Sequence, residues 1–219
     1  MHYQRYSAPE GVEVQIALAY MPPLEALPLP QRRQAQSHAA RQMARWLLSE
    51  SYPSVAPDAW GLEGGGRHVL RVVAPMRLSI SLSHRDGWLA CAVSKLLRVG
   101  IDIERYPAPS LADEQTWPLY LHAQEQIQMA QLRAEERSLQ AMQLWCRKEA
   151  WLKASHCAHA IGMESVLVQS DGSVAAVPAT PSHPAIPRLD TAAWPLPLCH
   201  VGAHNQGDGI SAVLALAWG

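Results

Sequence analysis

The pattern of apolar and polar residues in the first hundred positions predicts one helix among several short strands. Alternation over residues 12–18 indicates a strand with one buried face. From about residue 31 to residue 49, apolar residues recur at helical spacing, and Arg41 and Arg45 lie one turn apart on another face. After a glycine-rich break at 64–66, short strands are predicted at 68–73, 78–82, 88–93 and 98–104.

The remaining chain predicts two helices followed by strands. The patterns indicate helices at about 117–132 and 135–155, a strand at 166–168, and an antiparallel strand pair at 199–201 and 210–218. Residues 178–197 contain six prolines, which indicates an irregular surface stretch. The strand–loop–strand pattern around Ser83 resembles the one around Gly207, which leaves an internal duplication open.

Composition narrows the classes of function. The chain has 219 residues, a net charge of −1 and an isoelectric point near 6.8, so bulk charge does not indicate a nucleic-acid-binding protein. A small polyanion remains a candidate ligand. No apolar run approaches the roughly 20 residues that span a bilayer, and residues 1–6 lack the apolar core of a signal peptide. We therefore expect a cytoplasmic protein without a membrane partner.

Cysteine and aromatic usage adds two structural expectations. The four cysteines show no Cys-x-x-Cys spacing, and Cys91 and Cys146 lie in apolar stretches, so no disulfide framework is expected. The chain has no Phe but eight Trp, so we expect Trp to fill the large aromatic positions of the core.

Two carboxylates near the end of a predicted strand are the first candidate chemistry. Because side chains alternate along a strand, Asp102 and Glu104 share one face while Ile101 and Ile103 pack on the other. Two close carboxylates repel each other unless a cation lies between them, and Mg²⁺ prefers such oxygen ligands. The alternative is a strand end whose acids point into water.

A third carboxylate lies in the predicted helix 135–155. Glu149 is four residues after Trp145 and four before Lys153, so the three side chains share one face. A face that carries Trp145 and Leu152 should be partly buried, which is unusual for a lone carboxylate. The alternative is an ordinary Glu–Lys pair, which contributes about 0.3–0.5 kcal/mol.

A hydroxyl and an imidazole end another predicted strand. Ser79, Ser81 and Ser83 share one strand face, and His84 opens the turn that follows. These two groups could contact a phosphate, although a Ser-His pair before a turn is not specific by itself.

In order and spacing, these segments resemble the 4′-phosphopantetheinyl transferases of the surfactin-synthetase-activating (Sfp-like) type. The segments are Ser83-His84, Gly100-Ile-Asp-Ile-Glu104 and Trp145-Cys-Arg-Lys-Glu-Ala-Trp-Leu-Lys153. The resemblance covers residues 79–153. Weaker similarities are the arginine-bearing first helix and Leu121 with Glu125.

The resemblance implies a fold and a reaction. The fold would be an α/β (α+β) pseudo-dimer of two similar subdomains, 1–97 and 98–219, with coenzyme A in the cleft between them. The reaction would be that of a holo-acyl-carrier-protein synthase, which transfers the 4′-phosphopantetheine arm of coenzyme A to a serine of an apo acyl or peptidyl carrier protein. Glu104, as an additional carboxylate, favours the monomeric type over the shorter trimeric synthases.

The resemblance also implies roles for individual residues. Asp102, Glu104 and Glu149 would hold Mg²⁺, with Mn²⁺ as an alternative, and Glu149 would also take the proton of the acceptor serine. Lys153 would bind a phosphate oxygen. The nucleotide's phosphates would be contacted by Ser83, His84 in its protonated form, Arg41 and Arg33.

Several features depart from the family or leave other readings open. The family's Gly-Lys-Pro turn is not recognisable around Arg67, and the lysine-rich loop after the last lysine is replaced by residues 154–159, where His156, Cys157 and His159 suggest zinc as an alternative. Two other functions remain: a non-catalytic protein that binds coenzyme A or a carrier protein, and a Mg²⁺-dependent phosphohydrolase of another fold. The acceptor protein and the use of acyl-coenzyme A are not determined by the sequence.

Overall fold

The computed structural model describes residues 3–21, 27–65, 68–156, 161–176, 189–197 and 210–219. The strands are β1 Tyr3–Ser7, β2 Gln15–Tyr20, β3 Gly61–Gly65, β4 His68–Ala74, β5 Ser79–Arg85, β6 Trp88–Ser94, β7 Val99–Arg105, β8 Val166–Val168, β9 Val174–Ala176, β10 Asp190–Pro197 and β11 Ile210–Trp218. The α-helices are α1 Leu29–Ser51, α2 Pro109–Ala112, α3 Ala123–Gln131 and α4 Ala134–Ser155. Short 3₁₀ helices cover Pro57–Ala59, Glu114–Leu119 and Met163–Ser165.

The strands form two main antiparallel sheets. The first has the order β1-β2-β6-β5 and the second has the order β10-β11-β7. The pairs β3–β4 and β8–β9 form two smaller antiparallel sheets. The mixed α/β (α+β) class expected from the sequence is therefore confirmed, and a duplicated pseudo-dimer stays a prediction.

Buried side chains alternate between the two faces of each strand, so the helices and sheets pack in four layers. In β2, Ile16 and Leu18 face the second sheet, whereas Ala17 and Ala19 face α1. In β11, alternate residues face the first sheet and α4 in the same way. The order of layers is thus α1, first sheet, second sheet and α4, and both sheets are buried on two faces.

Buried tryptophans occupy the core as the composition predicts. Trp60, Trp88, Trp117 and Trp151 are each at most 4% exposed. Cys91 and Cys146 are buried and unpaired, as expected. No helix in the part of the chain that the structure describes is long and apolar enough to cross a membrane.

The prediction of one helix over 117–132 is wrong. A 3₁₀ helix, Glu114–Leu119, is followed by the separate helix α3. Pro118 has no backbone N–H to continue the α-helical hydrogen bonds. His122 then starts α3 as an N-cap, and Glu125 accepts a hydrogen bond from its backbone N–H at 2.8 Å.

The prediction of an irregular stretch over 178–197 is wrong for its last eight residues. Asp190–Pro197 forms β10, which pairs with β11. Its prolines are compatible with a strand because β10 is an edge strand of its sheet and carries a register shift at Leu196/Pro197. The predicted partner strand 199–201 and the region around Gly207 lie outside the described residues.

Candidate active site

The site forms where the edge strand β5 of the first sheet meets the edge strand β7 of the second. Along this seam, the Ser79 Oγ accepts a hydrogen bond from the Val99 N–H, and the Ser81 Oγ accepts one from the Ile101 N–H, both at 3.0 Å. Serine hydroxyls thus satisfy edge amides of β7 that a neighbouring strand would otherwise bind. The predicted common face of these serines is confirmed.

The third serine of the seam reaches the first candidate carboxylate. The Ser83 hydroxyl donates to Asp102 Oδ1 at 2.8 Å, and both residues are buried. Ile101 and Ile103 are fully buried between the two sheets, so Asp102 and Glu104 share the other face of β7, as the alternation predicts.

Helix α4 covers that face because residue 100 is glycine. A Cβ atom at Gly100 would lie 1.9 Å from Ala150 O and 2.7 Å from the Ala154 nitrogen. No other residue type would let the helix backbone approach β7 so closely. The predicted helical face of Glu149 and Lys153 is thereby placed against Asp102, two residues along the strand from Gly100.

Lys153 acts as an internal counter-ion for Asp102. Its Nζ donates to Asp102 Oδ1 at 2.6 Å, to Ile101 O at 3.1 Å and to Ser83 Oγ at 3.2 Å. The Lys153 side chain is 30% exposed, whereas that of Asp102 is 5% exposed. Residues from β5, β7 and α4 that are up to 70 positions apart in sequence therefore form one hydrogen-bonded cluster.

The carboxylates around this cluster affect each other's protonation. Burial, and then the charge of Asp102, raises the pKa of Glu104 to about 7, while Arg85 and Lys153 lower it. Burial and Asp102 also raise the pKa of Glu149, which Lys153 opposes. The site therefore concentrates negative charge in a partly dehydrated place.

One carboxylate oxygen of the cluster accepts no N–H or O–H hydrogen bond from the described residues. Asp102 Oδ2 is buried, and no N–H or O–H group of the described residues donates to it. Burial, then the charges of Asp102 and Glu104 and a hydrogen bond to Asp102, raise the pKa of the Cys146 thiol, so this thiol lies beside the carboxylate. A buried carboxylate oxygen that accepts no N–H or O–H hydrogen bond carries a free energy cost that a cation would lower.

The chemistry of these side chains suits a hard divalent cation, but their positions do not form a complete coordination site. The donors are carboxylate oxygens, which Mg²⁺ and Mn²⁺ prefer. However, the described residues contain no group of three or more His, Cys, Asp or Glu side chains already placed to hold a metal ion. Coordination by all three carboxylates would need their side chains to move.

Arg85 is a residue of this site that the sequence analysis missed. Its Nε lies 3.3 Å from Glu104 Oε2 and 3.8 Å from Asp86 Oδ2. The signal was present, because Arg85 is two residues beyond Ser83 on β5, and Glu104 is two residues beyond Asp102 on β7. The alternation that aligns the first pair also aligns the second.

The residues predicted to contact the nucleotide are His84, Arg41, Arg33 and Ser83. Burial and the charge of Lys153 lower the pKa of His84, which favours the neutral imidazole when no phosphate is bound, and its protonated form stays a prediction. Arg41 donates from Nη2 to Gly64 O at 2.5 Å, and Arg33 is exposed at the first turns of α1. Their contacts with phosphate stay predictions, as does the one predicted for Ser83.

A second lysine of α4 forms a buried ion pair that the sequence analysis did not single out. The Lys148 Nζ donates to Glu125 Oε2 at 2.5 Å, to Tyr120 O at 2.7 Å and to Met163 O at 3.1 Å. Glu125 also accepts from the backbone N–H groups of His122 and Val168. This pair connects α4 to α3 and to the segment before β8.

The zinc alternative involves residues that the structure describes only in part. His156 ends α4 in the left-handed conformation, and its pKa is lowered by burial and by Arg98 and Arg71. Cys157 and His159 lie outside the described residues.

Comparison with known proteins supports the resemblance for part of the chain. Residues 98–187 match the family model of ACPS, the 4′-phosphopantetheinyl transferase superfamily. No curated protein matches the chain. The matched segment contains β7 and α4, and therefore Asp102, Glu104, Glu149 and Lys153. This similarity supports a transferase of the 4′-phosphopantetheinyl transferase superfamily.

Proposed function

We propose that this protein transfers the 4′-phosphopantetheine arm of coenzyme A to a serine of an apo acyl or peptidyl carrier protein. The proposal includes dependence on Mg²⁺ and a monomeric, surfactin-synthetase-activating architecture that works in the cytoplasm. The observation that supports it most is the cluster of Ser83, Asp102 and Lys153 beside Glu104 and Glu149. The superfamily match covers all of these residues except Ser83.

The reaction forms one bond to phosphorus and breaks another. The acceptor serine oxygen attacks the β-phosphorus of coenzyme A, and 3′,5′-adenosine bisphosphate leaves with the electron pair of the broken P–O bond. Asp102, Glu104 and Glu149 would hold Mg²⁺, which supplies charge neutralisation at the pyrophosphate. Asp102 Oδ2 is buried and accepts no N–H or O–H hydrogen bond from the described residues, so a cation would stabilise it more than the solvent-accessible oxygens of Glu104.

Glu149 is suited to take the proton of the acceptor serine. Burial and the neighbouring Asp102 raise its pKa, and a more basic carboxylate is a better proton acceptor. It lies on the same face of α4 as Lys153, which keeps the base next to the phosphate-binding lysine.

Lys153 would exchange partners when substrate binds. Its side chain is 30% exposed, so the ammonium can turn from Asp102 to a phosphate oxygen without being drawn out of a closed core. Arg41 and Arg33 would add positive charge along α1. An approaching phosphate would raise the pKa of His84 and favour its protonated form.

One observation favours the alternative of a non-catalytic protein that binds coenzyme A or a carrier protein. The described residues hold no ready group of three metal-ligating side chains, and Lys153 lies on Asp102 instead. In that case the protein would bind its ligands and leave the pyrophosphate intact.

Intact-mass spectrometry separates these two functions. Apo acyl and peptidyl carrier proteins are incubated with the protein, coenzyme A and Mg²⁺, with EDTA as the control. A gain of about 340 Da that is lost with EDTA supports metal-dependent transfer. Coenzyme A binding without any mass gain on either carrier contradicts transfer to these acceptors and supports the binding protein.

A further inference from the structure

Arg85 on β5 forms an ion pair with Glu104 across the seam between β5 and β7. It is the last residue of β5 and lies on the same strand face as Ser83. Ser83 contacts Asp102, and Arg85 contacts Glu104 with its Nε 3.3 Å from Oε2. Two neighbouring side chains of β5 thus engage the two carboxylates of β7.

Each of these two carboxylates has its own cationic side chain. Lys153 contacts Asp102 from α4, and Arg85 contacts Glu104 from β5. The other charged groups near Glu104 are the carboxylates of Asp102 and Glu149. Two cationic side chains therefore offset part of the negative charge of the three carboxylates.

Arg85 can leave its carboxylate more easily than Lys153 can, because the Lys153 side chain is only 30% exposed. The Arg85 side chain is 59% exposed, and a second acid, Asp86, lies 3.8 Å from the same Nε. Glu104 is 20% exposed, so it remains accessible from solvent. Because Arg85 is solvated, its departure from Glu104 breaks a weak, screened pair and exposes little new surface.

We propose that Arg85 is a positioning residue that holds Glu104 when no divalent cation is bound and is displaced by a cation that binds there. This inference rests on the proposed function, because it names Arg85 as the group that competes with the proposed Mg²⁺ for Glu104. The alternative is a surface ion pair that does not interact with the cation.

A Mn²⁺ titration of the full-length protein without coenzyme A tests this directly. Free Mn²⁺ is followed by electron paramagnetic resonance for the wild type, Arg85→Gln, Arg105→Gln and Asp102→Asn. Arg105 is the matched control, since it follows Glu104 on β7, is exposed, and carries the same charge. Circular dichroism verifies that each variant is folded.

The expected result is tighter binding in Arg85→Gln alone. Its Kd for Mn²⁺ should fall by about twofold to fivefold, the upper range for the contribution of an exposed ion pair. Arg105→Gln should bind as the wild type does, and Asp102→Asn should lose binding.

The contrary results separate the two proposals. If Arg85→Gln and Arg105→Gln both bind Mn²⁺ like the wild type while Asp102→Asn does not, the inference about Arg85 is overturned and the proposed metal site stands. An equal tightening in both arginine variants also overturns it, because the effect is then only net charge. If no variant binds Mn²⁺ better than Asp102→Asn does, both the metal site and the role of Arg85 are contradicted.

Discussion

The two lysines of α4 form ion pairs of opposite kinds with carboxylates from other elements. Lys148 and Glu125 are fully buried, and backbone groups supply the remaining hydrogen bonds of both side chains. Lys153 lies five residues after Lys148, and Lys153 and Asp102 are 30% and 5% exposed. Asp102 Oδ2 accepts no N–H or O–H hydrogen bond from the described residues. A completed pair stabilises the arrangement of the chain, whereas an incomplete pair with exposed charge is available for a ligand.

The largest expected effect is on the completed pair. Lys148→Met should lower the free energy of unfolding by about 3–5 kcal/mol, because it leaves the Glu125 carboxylate buried without its cation. Urea denaturation measures this change. Adding Glu125→Gln should recover part of the loss, since the buried charge is then removed as well. Equal stability of Lys148→Met and the wild type would contradict the distinction between the two pairs.

The incomplete pair should respond in activity rather than stability. Asp102→Asn should lower the rate of phosphopantetheine transfer by at least about a hundredfold, because the proposed metal loses its most buried ligand. The free energy of unfolding should change by less than about 1 kcal/mol, since Lys153 can turn into solvent. Transfer is followed by intact mass, with the exposed Asp58→Asn as the control. Full activity of Asp102→Asn would refute its metal role.

Stability of the metal-free protein should depend on pH through Glu104. Its pKa is raised from 4.5 to about 7 in the folded state, so the folded protein binds this proton more tightly than the unfolded chain does. The free energy of unfolding should therefore fall as pH rises from about 4.5 to above 7, by about 2 kcal/mol once partial solvent exposure is taken into account. Urea denaturation in EDTA at several pH values measures the slope. Glu104→Gln should flatten it, and an unchanged slope would assign the effect to another group.

Two serine variants of β5 distinguish a hydroxyl at the site from one that only supports the backbone of β7. Ser83→Ala should cost about 1 kcal/mol of stability and lower transfer, since its hydroxyl bridges Asp102 and Lys153. Ser81→Ala is the matched variant: it leaves the buried Ile101 N–H without its acceptor and should cost about 1–3 kcal/mol while changing transfer less. Thermal unfolding and the mass assay on both variants test this. A larger loss of transfer in Ser81→Ala would contradict the assignment.

Local patterns predicted much of the fold because their causes are local. The helical spacing at 31–49 and 135–155 corresponds to α1 and α4, and the strand at 166–168 is confirmed. The predictions failed where strand pairing overrides the local preference of proline and glycine for irregular structure. Proline in β10 is compatible with an edge strand, and Gly61–Gly65 pairs with β4 although its glycines indicated a break.

The sequence by itself determined which candidate residues share a face. Strand alternation placed Asp102 with Glu104, and helical periodicity placed Glu149 with Lys153, because both depend only on backbone geometry. The partners of these side chains were decided by the tertiary structure. Lys153 binds Asp102 across 51 positions, and Lys148 binds Glu125 across 23. Such contacts depend on how strands and helices pack, including the space that Gly100 leaves for α4, and no local pattern in the sequence contains that information.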